Sequence, residues 1–577
     1  MIFFSIRESR TKHWQNDKVS RRNYGKTEVK VRSSVLCQAS ADVEMVAGDG
    51  DIRTTMTTLF GMIENAPAGA LCVRIGNDSL TYGAFRRRVN RMAAGLTALG
   101  LRQGDCVAIW LPNCVDWLVM AVACARNGMS VLSMNVRLGP LEIGDFIERA
   151  NVKALMFSPN HGDKDYGAIL AGVDRTKLSG LITAITPEGK PLNYLACDTV
   201  GMQQLLNTEL CPDDTGTGTG QDPCIIFASS GTTSRPKLIR HSQQGATSHG
   251  HDVAKAFGLD EENAVVYSGI PFCGAFGFTA ALGALAANRP IISDETFDAA
   301  AAVETIDRQS VTHMFGTNEM LHRMLNVAGD AWRPKTLQSF AHANFTPGLD
   351  SLPLRAETQG VHIRGCFGMS ETFALFAVQR SDSPLDRRAE TGGIPICNTA
   401  KVRVRDLNGD ALLGVGVEGA LEFYSPNLMM GYVGDEQATR AAITDDGYLR
   451  SGDIGYLTKD GGFTHLSRVG DVMRIGGYLV NPLEIEEVVM NFPDVSACQV
   501  VEYSAPQGPR PIAFVIGTHE YVHDEPALIA YCKARLATFK VPVRFLQISA
   551  FPVTTGPNGT KVRKAELREQ AVRLVAG

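Results

Sequence analysis

A β-rich run, CIIFA over residues 224–228, leads directly into SSGTTSRPK, so that Ser229, Ser230, Gly231, Thr232 and Thr233 precede Pro236 and Lys237. Small residues let a backbone approach a polyanion, hydroxyl and N–H groups donate to its oxygens, and a lysine neutralises charge. The loop therefore has the chemistry of a triphosphate cradle. A Walker loop requires Gly immediately before the Lys and Ser or Thr after it, whereas Pro236 and Leu238 stand there. Taken alone, the same Ser/Gly/Thr composition also describes a plain turn, so other segments must decide. His241, His249 and His251 follow closely, but soft ligands at a suitable spacing are missing, which argues against zinc.

Those other segments come in a fixed order. FGMSET (367–372), GYLRSGDIG (447–455) and SRVGDVMRIGGYLVNPLEIE (467–486) are followed by FKVPVRF and FPVTTGPNGTKVRKAEL; upstream lie SLTYGAF, GDCVAIWLPN and SMNVRLGPLEI. With these landmarks, over about residues 57–570, the chain resembles the adenylate-forming (AMP-binding) superfamily of acyl-CoA synthetases, peptide-synthetase adenylation domains and luciferases. It is most similar to the fatty-acid or aryl-acid CoA ligases. The departures are local: Ser234, Leu238 and Ser467 stand where glycine is usual, Ser370 replaces threonine, and TGPNGTK lengthens the approach to Lys561.

The resemblance implies ATP, Mg²⁺ and coenzyme A as cofactors and assigns residues to them. Ser229, Ser230, Gly231, Thr232, Thr233, Lys237, Phe367, Gly368 and Met369 would bind ATP, with Asp453 on the ribose and Arg468 near the sugar and phosphates. Glu371, a hard oxygen donor beside Ser370, suits Mg²⁺, and Lys561 is the lysine expected on the carboxylate and α-phosphate, with Lys564 as a lesser rival. Phe272, Cys273, Gly274, Phe276, Phe315 and Gly316 are expected around the acyl group, although core packing explains each aromatic equally well. Gly274 takes the place of a family histidine. Arg474, Gly476, Gly477 and Tyr478 are expected near the pantetheine arm, and Gly470 at a hinge about which the C-terminal domain swings. SFAHANFTPGL departs from the usual glycine-rich adenine wall, and Asn344 is its candidate beside adenine.

The implied reaction is activation of a small carboxylic acid as an acyl-adenylate and transfer to coenzyme A, with release of AMP and pyrophosphate. Apolar, aromatic-bearing pocket candidates, and the lack of an obvious acid to meet an amino group, favour a fatty or aryl acid. The alternatives are an acyl-AMP ligase loading a separate carrier protein and a luciferase-like oxygenase acting on the adenylate. A silent binding protein would need none of Lys237, Glu371, Asp453, Arg468 and Lys561.

Elements must position these groups. Helical patterns such as residues 82–100 alternate with short β-rich runs such as CVAIWL (106–111) and KALMF (153–157), which predicts parallel sheets covered by helices. The expected fold class is α/β: a large multi-layer N-terminal domain with parallel sheets and a small mobile C-terminal α+β domain, as in acyl-CoA synthetases. The expected boundaries are 1–54 for a disordered basic head, 55–469 for the AMP-binding domain and 470–577 for its C-terminal partner. TGTGTG (215–220) reads as a flexible connector.

Composition excludes other classes. The 577 residues are 44% hydrophobic and 20% charged, with 56 basic and 61 acidic side chains for a net charge of −5. That gives no electrostatic reason to bind nucleic acid. Thirteen scattered cysteines with no Cys-x-x-Cys pair suggest a reducing, cytoplasmic setting. The apolar run at 117–125 falls far short of the roughly 20 residues that span a bilayer, so no membrane span is expected. Residues 1–32 carry nine basic and three acidic side chains without the apolar core of a secretory signal.

Overall fold

The computed structural model describes residues 57–577 except 163, 210–215, 229–235, 347–348, 470–472, 476–477, 481, 506–507, 520–521, 557–558 and 577. The expected basic head at 1–54 lies outside them.

Strand Cys106–Trp110 is buried at every position, as a strand covered on both faces must be. It is central to an eight-stranded sheet that runs Gly431–Tyr432, Leu238–Ser242, Pro223–Ala228, Ser130–Ser133, Cys106–Trp110, Val152–Phe157, Thr183–Thr186, Asp198–Gly201. From Pro223–Ala228 to Asp198–Gly201 the pairings are parallel, and the two outer pairings at the other edge are antiparallel. A fourteen-stranded sheet changes character in the same way. Its strands Ile291–Ser293, Val266–Ser268, His313–Thr317, Ser339–Ala343 and Ile363–Phe367 pair in parallel, and the ladder turns antiparallel at Ala377–Val378.

Helices Val115–Arg126 and Ala275–Ala286 are apolar almost all round and join residues of both sheets in one core cluster. A helix of that composition has to be buried between layers. Helix Gln243–Phe257 packs on Ala275–Ala286 through Gly283, where an added Cβ would lie 2.6 Å from Val253 Cγ1. Among the described residues, no strand after Arg468 joins either large sheet. The chain instead builds a three-stranded sheet, Val495–Ala505, Gly508–Gly517 and Arg544–Gln547, with a core of its own that includes Met473, Ile485, Val500, Leu528 and Phe545. No described helix is long and apolar enough to cross a membrane.

The structure corrects one expectation here. The stretch after Thr215 is not a slack connector: Gly218 N donates to Arg126 O at 2.9 Å and Thr217 Oγ1 to Asn127 O at 3.0 Å. A Cβ on Gly218 would sit 2.1 Å from Ala125 O, so the glycine serves close approach to a helix end.

Candidate functional site

Both sheets change from parallel to antiparallel where the chemistry-bearing segments lie. The loop at 229–235 follows strand Pro223–Ala228, and FGMSET begins at the last residue of strand Ile363–Phe367. Both segments leave the carboxyl ends of strands in largely parallel sheets, and in open α/β sheets ligands bind in the crevice outside those ends. Ser229, Ser230, Gly231, Thr232, Thr233 and Ser234 lie outside the described residues. Lys237 is described, and its Nζ stands 4.4 Å from the centre of the Tyr432 ring.

FGMSET owes its shape to a sharp turn. At Gly368 a Cβ would lie 2.3 Å from Leu375 N, so no side chain fits. Residues 370–372 form a short 3₁₀ turn, and Phe373, Ala374 and Leu375 then adopt φ of 65°, 55° and 43°. Three consecutive non-glycine residues in the left-handed region cost about 1–3 kcal/mol each and persist only if held. They are held from two helices: Thr279 Oγ1 donates to Phe373 O, and His249 Nε2 is 2.9 Å from Ala374 O. The Phe373 ring lies 3.9 Å from the His241 ring, and His241 Nε2 stands 2.7 Å from Ser370 O. Burial pushes His241 down to about 3 and His249 to about 4, so both rings are neutral and present an N–H to their carbonyls.

The turn leaves Glu371 buried, 9% exposed. Its Oε1 accepts from Tyr432 Oη at 3.0 Å, and its carbonyl accepts from Met429 N at 2.9 Å. Burial, and next the Glu371 carboxylate, push the Tyr432 hydroxyl well above its ordinary range, so it is the donor.

Asp453 is more buried still, with a side chain 2% exposed. Its Oδ1 accepts from Arg468 Nε at 2.9 Å and lies 3.5 Å from His465 Nε2. Its Oδ2 is buried and has no hydrogen-bond partner among the described residues. An unpaired buried carboxylate oxygen is costly, and a ligand hydroxyl donated to it removes that cost. His465 also packs against Phe367, ring centres 5.2 Å apart. Asn344 is occupied by protein: Oδ1 meets His342 Nδ1 at 3.0 Å, and Nδ2 meets Ala389 O and Thr391 Oγ1, both at 3.3 Å.

The acyl candidates divide. Gly274 caps helix Ala275–Ala286, Phe276 and Cys273 are buried beside it, and burial drives the Cys273 thiol up to about 12. Phe272 packs on Trp117 at 5.9 Å and Phe315 on Phe257 at 5.0 Å, and both rings, like Phe276, join the buried core cluster. Gly316 makes room for Phe340, whose Cζ would lie 2.8 Å from an added Cβ.

In the C-terminal part, Lys561 lies on hairpin strand Gly559–Val562, opposite Thr554 of Val553–Gly556. Lys564 is committed elsewhere: its Nζ meets Glu486 Oε1 at 3.0 Å, and Glu486 is 1% exposed and also accepts from Val500 N at 2.8 Å. That ion pair ties helix Lys564–Ala576 to the small core. Arg474 and Tyr478 lie on paired strands Met473–Ile475 and Tyr478–Val480; Gly470, Gly476 and Gly477 lie outside the described residues. Tyr432, His465 and Thr279 were not legible as site residues, because only tertiary contact brings them to Glu371, Asp453 and Phe373.

Residues 63–433 match the model of AMP-binding enzymes, and residues 484–556 match that of the AMP-binding enzyme C-terminal domain. The chain belongs to the AMP-binding enzyme family. This AMP-binding enzyme is 28% identical over 506 residues to a feruloyl-CoA synthase of Amycolatopsis sp, covering 87% of this chain and 96% of that one. It is 25% identical over 527 residues to the mitochondrial medium-chain acyl-CoA ligase of Bos taurus, covering 87% and 84%. Among solved structures, ATP-bound MatB from Rhodopseudomonas palustris superposes with a TM-score of 0.76 at 23% identity, covering 90% of this chain and 99% of that one. An anthranilate CoA ligase in complex with anthranoyl-AMP also reaches 0.76, at 19% identity over 90% and 98%. At those identities the structural likeness establishes the fold of the AMP-binding enzyme: a large α/β domain with parallel sheets and a small C-terminal domain.

Proposed function

We propose that this AMP-binding enzyme joins a carboxylic acid to the α-phosphorus of ATP, expelling pyrophosphate, and then passes the acyl group to the thiol of coenzyme A, expelling AMP. The observation that carries the reading is the buried Oδ2 of Asp453, which has no partner among the described residues and which one ribose hydroxyl would satisfy. Lys237 and Arg468 supply positive charge for the phosphates, and Lys561 supplies it for the oxygens of the transferring centre. The acid is a fatty or aryl carboxylate, in keeping with the feruloyl and medium-chain names of its relatives.

Glu371 suits Mg²⁺. Among the described residues no cluster of three or more His, Cys, Asp or Glu could cage an ion, and one carboxylate completed by substrate phosphates is the arrangement magnesium favours. Bound there, Mg²⁺ would neutralise phosphate charge and draw electron density from the α-phosphorus. The turn at 373–375 keeps the backbone of Glu371 from relaxing.

Two half-reactions with one set of side chains call for a moving part. The change of sheet membership after Arg468 supports a division at 469/470, with Gly470 as hinge, so that Lys561 serves adenylation and the segment of Arg474 and Tyr478 serves thiol transfer. Acid-dependent exchange of labelled pyrophosphate into ATP, measured across short, long and aromatic acids, tests the first step. AMP release that depends on CoA tests the second; exchange with no acid class would overturn the reading.

A further inference from the structure

We propose that Tyr432 is a positioning residue with two separable duties: its hydroxyl fixes the Glu371 carboxylate and its ring face seats the Lys237 ammonium. The proposal rests on the adenylation reading for the roles of Glu371 and Lys237. Four observations carry it. The hydroxyl reaches Glu371 Oε1 at 3.0 Å in a buried setting, which directs the carboxylate's remaining acceptor capacity elsewhere. Lys237 Nζ stands 4.4 Å from the ring centre, where the negative face of an aromatic attracts a cation. The backbone that carries the ring is held, because Tyr432 pairs with Ile239, two residues after Lys237, and its N–H donates to Thr439 Oγ1 at 2.9 Å. Gly431 before it has φ of 137°, and a Cβ there would meet Thr439 Cγ2 at 2.9 Å, so the backbone path into Tyr432 is narrowly set.

One side chain thus touches the group meant for the metal and the group meant for the phosphates. Tyr432→Phe removes only the first contact, and Tyr432→Leu removes both. The probe is Mn²⁺, followed by its paramagnetic resonance signal with α,β-methylene-ATP present, beside calorimetric binding of the same nucleotide in EDTA and the thermal midpoint of each variant. Tyr432→Phe should weaken Mn²⁺ binding about 10- to 100-fold, as loss of a group that orients a metal ligand does, and leave metal-free nucleotide affinity unchanged. Tyr432→Leu should lose both affinities, and Glu371→Gln combined with Tyr432→Phe should lose no more Mn²⁺ affinity than Glu371→Gln alone.

Unchanged Mn²⁺ affinity in Tyr432→Phe overturns the proposal, as does a parallel loss of metal-free affinity in that variant. Should Tyr432→Leu not fold, Lys237→Met in its place should lower metal-free affinity and spare the effect of Tyr432→Phe on Mn²⁺; failure on either count is also fatal. Because these are binding measurements, absence of acid-dependent pyrophosphate exchange in the unmutated enzyme would defeat the adenylation reading while leaving the two duties of Tyr432 separately decided.

Discussion

Asp453 and Arg468 are direct cross-strand partners in an antiparallel ladder as well as an ion pair, so the sheet register itself sets the 2.9 Å contact between them. The arginine occupies one carboxylate oxygen and leaves the other buried without a partner among the described residues. Asp453→Asn keeps the shape but halves the acceptor capacity. It should raise the KM for ATP roughly 10- to 100-fold, the loss of about 1.5–3 kcal/mol expected for a hydrogen bond to a charged group. Arg468→Lys, which cannot present the same fork, should cost less, and pyrophosphate exchange at varied ATP measures both.

The two C-terminal lysines should part company. Lys561→Ala is expected to slow adenylation by about 10²–10³-fold, the scale of a lost transition-state donor, with an unchanged thermal midpoint. Lys564→Ala leaves Glu486 without its ammonium partner, and should lower stability by about 3 kcal/mol in urea titration. Substituting both members of that pair, Lys564→Met with Glu486→Gln, should recover part of the loss.

At the clamped turn, Thr279→Val removes the donor to the Phe373 carbonyl at almost constant volume. A cost of about 1–3 kcal/mol should follow from the unpaired buried carbonyl. Because the same turn aims Glu371, kcat for exchange should fall while KM for the acid changes little. Gly368→Ala, whose new methyl would meet the backbone of Leu375, should abolish exchange.

Three buried imidazoles make stability depend on pH. Burial holds His241 at about 3, and His249 and His342 at about 4, against about 6.5 in an unfolded chain. Between those values the unfolded state takes up protons that the native rings refuse. Stability is therefore full above about pH 6.5 and is lost as pH falls toward 4, by roughly 1.4 kcal/mol per ring for each pH unit. Urea titrations at pH 7.5, 6 and 5 measure the slope, and His249→Gln should reduce it by one ring's share.

Local pattern made much of this readable. The helix read at 82–100 is Tyr82–Ala98, and the runs CVAIWL and KALMF are strands Cys106–Trp110 and Val152–Phe157, because apolar periodicity and β-branched content act over a few residues. Asp453 and Glu371 stood out through their motifs. What sequence could not show was long-range or conformational. Tyr432 and Glu371 are 61 residues apart, and nothing in Gly431-Tyr432 announces that the pair meets. Phe373, Ala374 and Leu375 favour right-handed or extended backbone; the opposite conformation is imposed by Thr279 and His249 from outside the segment. Phe272 and Phe315 fit a ligand wall or a core equally by type, and only their neighbours Trp117 and Phe257 place them in the core.

Lys561 sits on a two-stranded ribbon, and side chains along such a ribbon alternate between its faces. Its position is therefore a matter of parity as much as of reach. Deleting one residue between positions 561 and 564 would shift residue 561 by one place from its ladder partner Thr554 and reverse its parity. Deleting both intervening residues would carry it past Val562, where the ribbon ends. Since the pair with Glu486 pins the downstream end, the ribbon cannot absorb such a slip by sliding, and chain length between those two lysines is constrained as tightly as the identity of either.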